Sequence, residues 1–152
     1  MDTQDRQPPT EEQARLTHNA PIIRRLVEYP PEMGRFANET QMVFHPTDEH
    51  PTEPNAGLLT YLPGAAFPLH KHDFAQVWYV VEGECSFGDD TLNTGDMVYF
   101  EDPHFEYDFS TEQGCKILFV QYQGPSTGGR PIYEGRFNKT EPTDIASEDL
   151  EH

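Results

Sequence analysis

Short apolar runs separated by turn residues dominate the middle of this chain. We predict strands at residues 41–45, 57–62, 76–81, 84–87, 97–100, 105–109 and 116–121, with Gly, Pro or Asp between most of them. No stretch repeats apolar residues at helical spacing over a convincing length. Together with a stretch that contains His70 and His72, about eight short strands with Gly and Pro turns indicate an all-β sandwich or barrel.

Both ends of the chain differ from this middle part. Residues 1–20 are polar and lack periodicity, so we predict a flexible N-terminal arm with at most a short helical turn. Residues 21–123 form the predicted β domain, and residues 124–152 form an irregular C-terminal arm. The C-terminal arm carries Ile132, Tyr133 and Phe137, which we expect to pack on the body or on a second subunit.

The stretch from Gly64 to Gly83 contains the strongest chemical signal. His70 and His72 lie one residue apart, and in a strand their side chains would project from the same face. Two imidazoles that face a barrel interior are poor core residues and good metal ligands. Gln76 follows at a distance that allows it to reach the same site, and the apolar run after it predicts a buried strand.

These residues resemble the first motif of the cupin superfamily. That motif runs Gly, five residues, His, one, His, three or four, Glu, six, Gly, and Gly64, His70, His72, Gln76 and Gly83 match its spacing with Gln in place of Glu. The resemblance covers residues 40–123, with its core motif region at 58–122, and neither arm takes part. It implies the cupin double-stranded β-helix, a small jelly-roll barrel of two antiparallel sheets, with irregular arms at both ends.

The second cupin motif is less complete and leaves the last ligand open. Counted strictly from Gly95, its histidine position falls on Glu106, whereas His104 lies two residues earlier. A turn shortened by two residues would bring His104 to the ligand position instead. Because strand side chains alternate, we expect His104 and Glu106 to share a face and both to be able to point into the barrel.

The resemblance implies one divalent transition metal ion per chain, which could be Fe, Ni, Zn, Mn or Cu. We predict His70, His72, Gln76 and His104 as its ligands and Glu106 as a catalytic acid or base. That set carries no negative charge and would favour an anionic ligand. If Glu106 binds instead, the site becomes two histidines and one carboxylate, the ligand set of non-haem iron oxygenases.

The charge, the cysteines and the N-terminus of the sequence bear on its partners, its thiol state and its localisation. With 27 acidic and 10 basic residues the formal net charge is −17, so we expect no nucleic-acid and no membrane partner. Cys85 and Cys115 lie in strand-like contexts without metal-binding spacing, and we expect reduced, structural thiols. The N-terminus lacks an apolar segment, so we expect no signal peptide and a cytoplasmic protein.

Three functions are compatible with these features. We weakly favour a metal-dependent cupin enzyme with dioxygenase-like chemistry on a small, anionic or dicarbonyl substrate. The alternatives are a cupin isomerase or lyase that acts on a sugar acid or carbonyl compound, and a non-enzymatic metal- or ligand-binding module. We expect a homodimer, because open sheets leave edges to cover.

We expect four aromatic residues to lie in the core or in the pocket wall, namely Phe67, Trp78, Tyr99 and Phe119.

Overall fold

A computed structural model of the chain describes residues 7–34 and 36–124. Its helices are α1 (Glu11–Thr17) and a 3₁₀ turn (Leu26–Glu28), and neither contains a buried residue. Helix α1 begins at a capping box, in which the Thr10 side chain accepts from the Gln13 backbone and the Gln13 side chain accepts from the Thr10 backbone. Neither described helix has the length and the apolar character that a membrane crossing requires.

Strands make up most of the remaining described chain and confirm the prediction of an all-β fold. They are β1 (Glu32–Met33), β2 (Asn38–Phe44), β3 (Asn55–Tyr61), β4 (Ala66–Phe67), β5 (His70–His72), β6 (Ala75–Phe87), β7 (Asp90–Asn93), β8 (Met97–Phe100), β9 (His104–Glu106), β10 (Phe109–Ser110) and β11 (Cys115–Tyr122).

The strands form a large antiparallel sheet that curls on itself and a small two-stranded sheet. In the large sheet the order is β1-β2-β3-β11-β6-β10-β4, and β7 and β8 also pair with β6. Strand β6 is therefore shared: its first half pairs with β11 and β8, and its second half pairs with β10 and β7. Strands β5 and β9 pair with each other and carry the predicted site.

Strand β6 corrects one expectation. We expected a break at Gly83 and a separate returning strand at 84–87, but β6 continues through Gly83 to Phe87. In the first half the inward side chains are the even-numbered Gln76, Trp78 and Val80. In the second half the buried residues are the odd-numbered Cys85 and Phe87. A register shift against β11 lies between these halves, and one extra residue in β6 accounts for it. The interrupted apolar pattern therefore marks a β-bulge.

The core lies between the curled faces of the large sheet. Phe67, Trp78 and Phe119 are buried there, as expected, together with Val80 and Ile117. The expectation for Tyr99 was wrong, because this side chain is 61% exposed on the outer face of β8. Cys85 and Cys115 are buried free thiols in the same core.

The predicted division into arms and body stays a prediction. Within the N-terminal arm the described residues include α1, whose side chains are solvent-accessible. Arg24, just beyond that arm, binds the buried carboxylate of Glu53 and the Val43 carbonyl, so this segment contacts the body. The apolar residues predicted to pack the C-terminal arm lie outside the described residues.

We expect Gly83→Ala to destabilise the fold strongly. Gly83 has φ = +85°, and a Cβ there would lie 2.4 Å from the Gly114 carbonyl oxygen and 2.9 Å from the Cys115 Cα. Backbone strain and this clash should together lower the free energy of unfolding by about 3 kcal/mol or more. Chemical denaturation measures the loss.

Gly64→Ala is the matched control for this substitution. Gly64 has the same φ of +85°, but a Cβ there would have nothing within 4 Å. Only the conformational cost remains, so we expect a loss of about 1 kcal/mol. Equal losses in the two variants would contradict the close approach of β6 and β11 at Gly83.

Candidate metal centre

The pairing of β5 with β9 brings the predicted site residues together. In this ladder His70 lies opposite Glu106, and His72 lies opposite His104. The residues at alternate positions of each strand share a face, so all four side chains lie on one side of the small sheet. Gln76, at the start of β6, reaches the same place through hydrogen bonds to Glu106 and His104. The expectation that His104 and Glu106 share a face is confirmed.

Glu106 lies at the centre of this cluster. Its Oε2 atom is 2.7 Å from His70 Nε2 and 2.9 Å from His72 Nε2, and its Oε1 accepts from Gln76 Nε2 at 2.6 Å. Both Glu106 and His70 are only 5% exposed. Burial by itself raises the pKa of Glu106, but the charges and hydrogen bonds of His72 and His70 outweigh it and hold that pKa well below its usual range. Glu106 is therefore an anion in this site.

Hydrogen bonds to backbone carbonyls determine which ring nitrogens carry protons. His70 Nδ1 lies 2.8 Å from the Pro68 carbonyl oxygen, and His104 Nδ1 lies 2.9 Å from the carbonyl oxygens of Phe74 and Glu101. Since a carbonyl oxygen only accepts, each Nδ1 must donate. In the neutral tautomers, Nε2 of His70 then directs a lone pair at Glu106, and Nε2 of His104 accepts from Gln76.

The donor atoms of this cluster and their separations are compatible with a bound metal ion. Without a proton on Nε2, His70 would direct a lone pair at a carboxylate oxygen 2.7 Å away, and two acceptors at that distance need a proton or a cation between them. His70, His72 and Glu106 each offer one ligand atom, and these atoms all lie within 4.8 Å of one another. Imidazole nitrogens with one carboxylate oxygen are a donor set that divalent transition metals accept. The residues present therefore fit such an ion.

Gln76 is held in one orientation by its neighbours. Its Oε1 atom accepts from Trp78 Nε1 at 3.2 Å and from Gln121 Nε2 at 3.1 Å. The indole N–H can only donate, so the amide oxygen faces Trp78 and the NH₂ group faces Glu106 and His104. The side chain is 1% exposed, and its donors and its acceptor oxygen all have partners.

Aromatic rings surround the imidazoles. Phe67 contacts His70 edge-on at a centroid distance of 5.1 Å, and Phe74 stacks on His72 at 4.6 Å. Phe100 packs against His104 with its centroid 4.7 Å away. These rings restrict the movement of the imidazoles and make the surroundings of the polar cluster apolar.

Two neighbours of the site, Gln121 and Asn55, were not predicted, and the pattern of residues could have revealed the first of them. Gln121 follows Ile117 and Phe119 at alternate positions of β11, and those inward residues are buried. A polar residue that continues an inward apolar series indicates a buried hydrogen bond. Asn55, which donates to Gln121 at 2.6 Å, comes directly after a loop, so no comparable series precedes it.

No known protein-family profile matches this sequence, and no curated protein matches it either. Solved structures do match. An RmlC-like cupin from Shewanella frigidimarina is 20% identical with a TM-score of 0.56, and the match covers 72% of this chain and 96% of that chain. A predicted oxalate decarboxylase from Thermotoga maritima is 18% identical with a TM-score of 0.56, over 68% of this chain and 100% of that one.

An acetylacetone dioxygenase from Acinetobacter johnsonii is 14% identical with a TM-score of 0.52, over 87% of this chain and 89% of that chain. TM-scores of 0.52 to 0.56 show a common fold, whereas sequence identities of 14 to 20% leave the chemistry open. The chain therefore has the cupin fold, which confirms the jelly-roll class that the resemblance implied.

An ordinary histidine is half protonated at pH ~6.5. We expect His104 in the metal-free protein to remain mostly neutral at that pH. Burial has the largest effect and lowers the pKa of His104. The charge of Glu106 and the hydrogen bonds to the Glu101 and Phe74 carbonyls oppose it, and His72 adds a smaller lowering. Long-range ¹⁵N–¹H correlation spectra across a pH series measure this, with His104→Gln assigning the signal. They should show the tautomer protonated at Nδ1. An Nε2-protonated ring, or a pKa above that of the urea-unfolded chain, would contradict it.

Proposed function

We propose that this chain is a metal-dependent cupin enzyme in which His70, His72 and Glu106 hold one divalent transition metal ion. The observation that carries the proposal is the convergence of two imidazole Nε2 atoms on one buried carboxylate oxygen, at 2.7 and 2.9 Å. Two histidines and one carboxylate with open positions are the ligand set of non-haem Fe(II) oxygenases, so iron is the preferred ion.

This ligand set differs from the predicted set of His70, His72, Gln76 and His104 and corresponds to the alternative in which Glu106 binds instead. The pairing of β5 with β9 supports Glu106 as a metal ligand, since it lies directly opposite His70. His104 lies opposite His72, and its Nε2 is directed at Gln76. The amide oxygen of Gln76, the atom that could bind a metal ion, is engaged by Trp78 and Gln121. We therefore assign Gln76 and His104 to the surroundings of the ion and place Glu106 among its ligands.

The proposed reaction is dioxygenase-type cleavage of a small enolisable or dicarbonyl compound. A bound divalent ion would supply Lewis-acid and one-electron chemistry toward the substrate and oxygen. With Glu106 as the single anionic ligand, the occupied site keeps one net positive charge, which favours a singly charged anion such as an enolate. Burial lowers the pKa of His104 and favours its neutral form, whose Nε2 can accept a substrate proton if Gln76 gives up that hydrogen bond. The phenylalanine rings restrict water near these groups.

An isomerase or lyase without a metal is the second candidate, and one observation favours it. Glu106 contacts both imidazoles directly, an arrangement that can also act as a carboxylate–imidazole acid–base pair. A non-enzymatic metal- or ligand-binding module would use the same residues without turnover. Metal content separates the acid–base pair from the other two, and oxygen uptake with β-dicarbonyl substrates separates the oxygenase from the module.

We expect purified protein to contain about one divalent transition metal ion per chain, and Glu106→Gln to lose it. Loss of a ligand should weaken binding by more than the 10–100-fold that follows loss of a residue behind a ligand. Elemental analysis and titration with Co²⁺ measure content and affinity.

His104→Gln is the matched control, because it removes the neighbouring imidazole and keeps a polar side chain of similar reach. It should retain metal within about tenfold of the natural chain. Full metal content in Glu106→Gln, or equal losses in both variants, would refute the assignment of Glu106 as the ligand that completes the site.

We also propose that the chain forms a homodimer through the outer face of the large sheet. Leu118, Tyr79 and Met97 lie in one row across β11, β6 and β8, and they are 43%, 38% and 67% exposed. Tyr99 continues this face in the next row, beside Val77. These side chains are uncharged, whereas the chain as a whole carries −17, so two copies can approach here with little charge repulsion between the contacting side chains.

Met97→Glu should convert the dimer into a monomer, because it places two like charges in the proposed interface. Light scattering coupled to size exclusion measures the mass. Val27→Glu is the control, since Val27 is 90% exposed in the N-terminal segment and outside this face. A monomeric natural chain, or a Met97→Glu variant that stays dimeric, would rule the interface out.

A further inference from the structure

A row of buried amide side chains crosses the large sheet and ends at the proposed metal centre. Asn55 on β3, Gln121 on β11 and Gln76 on β6 are register partners in neighbouring strands. They point inward and are 1%, 8% and 1% exposed. In the adjacent row of the same face the partners are Gly57, Phe119 and Trp78, so the amides form the polar border of an otherwise apolar surface.

The hydrogen bonds along this row all run in one direction. Asn55 Nδ2 donates to Gln121 Oε1 at 2.6 Å, Gln121 Nε2 donates to Gln76 Oε1 at 3.1 Å, and Gln76 Nε2 donates to Glu106 Oε1 at 2.6 Å. Each amide therefore accepts on the side away from the metal centre and donates on the side toward it. Amides aligned in this way polarise one another, so the last N–H is a stronger donor than an isolated amide.

One fixed donor and one fixed acceptor set this direction, namely the indole N–H of Trp78 and the ionised carboxylate of Glu106. Asn55 uses its nitrogen for Gln121, so its Oδ1 accepts, and His45 Nδ1 lies 3.1 Å from that oxygen. At the other end the indole N–H of Trp78, which can only donate, occupies the same oxygen of Gln76 that Gln121 binds. A reversed Gln76 amide would place its NH₂ group against two donors and its oxygen against the Glu106 carboxylate. The reversed orientation is therefore excluded by its neighbours on both sides.

We propose that Gln121 and Asn55 are positioning residues for the metal centre, which act by holding the Gln76 NH₂ group against Glu106. The inference rests on the proposed function, because it assigns these residues a role toward a carboxylate ligand. A donor behind a carboxylate ligand fixes which oxygen faces the ion and in which rotamer. In this chain Gln76 supplies that donor to Glu106 Oε1, which leaves Oε2 for the imidazole side of the site.

Gln121→Glu tests whether the direction of the hydrogen bonds along the row matters, and Gln121→Met tests whether these hydrogen bonds are needed at all. Methionine is similar in length and removes the hydrogen bonds of the Gln121 side chain to Asn55 and Gln76. Glutamate also directs an acceptor at the Gln76 oxygen and favours reversal of that amide. We expect Co²⁺ affinity per folded molecule to fall roughly tenfold in Gln121→Met and roughly 100-fold in Gln121→Glu, within the range for residues behind a ligand. The visible spectrum of bound Co²⁺ should change in the same order.

Ile117→Val is the control for a purely structural effect. Ile117 is fully buried on the same strand, two inward positions from Gln121, and has no polar atom in its side chain. The variant should lower the melting temperature and leave Co²⁺ affinity and spectrum unchanged. If Gln121→Met and Gln121→Glu behave like Ile117→Val, with stability lost and affinity kept, the positioning role is overturned.

A readout without metal separates failure of this inference from failure of the proposed function. In metal-free natural protein the side-chain NH₂ protons of Gln76 should show nuclear Overhauser contacts to the His104 ring, and Gln121→Glu should abolish them. If those contacts are present and Co²⁺ does not bind, the metal function fails while the orientation holds. If the contacts are missing from natural protein, the proposed row is wrong, whatever metal the chain binds.

Discussion

The burial of one negative charge is the constraint on which this site depends. Glu106 is 5% exposed and lies between apolar rings, where an isolated carboxylate would be strongly destabilised. His70 and His72 compensate that charge on one carboxylate oxygen, and Gln76 donates to the other. Two of these partners are in turn held by another bond, His70 by the Pro68 carbonyl and Gln76 by the polar row behind it. The compensated charge explains why the polar residues of this region are so closely interlinked.

The sheet supplies the rigid support that such a cluster requires. Strand β6 pairs with partners on both sides along its length and carries Gln76 at the end nearest the site. Its bulge before Gly83 keeps both halves in one strand while the inward positions change parity, so each half buries its own apolar residues. The small β5–β9 sheet, which holds the proposed ligands, is thereby placed against a firmly packed wall. Ligands on paired strands keep their separation better than ligands on loops.

Much of the fold and part of the site were predictable from the pattern of residues. The alternation of apolar and polar positions identified most central strands, and the one-residue spacing of His70 and His72 placed both on one face. The pattern gave a wrong prediction within β6. A β-bulge and a chain reversal both interrupt the alternation of buried and exposed side chains, so the sequence did not distinguish them. It also misled at Tyr99, since an alternating strand has two faces and its own residues do not say which one is covered.

The sequence by itself determined the all-β class, the histidine pair and the neutral residue where a cupin motif has a carboxylate. Only the tertiary structure decided that Glu106 lies opposite His70, because strand register depends on how residues 32 to 36 positions apart pair. It also decided what Gln76 does. An amide carries a donor and an acceptor on the same carbon, and the sequence reads identically for both orientations. Trp78 and Gln121, brought in by packing, occupy the oxygen and leave the nitrogen for Glu106.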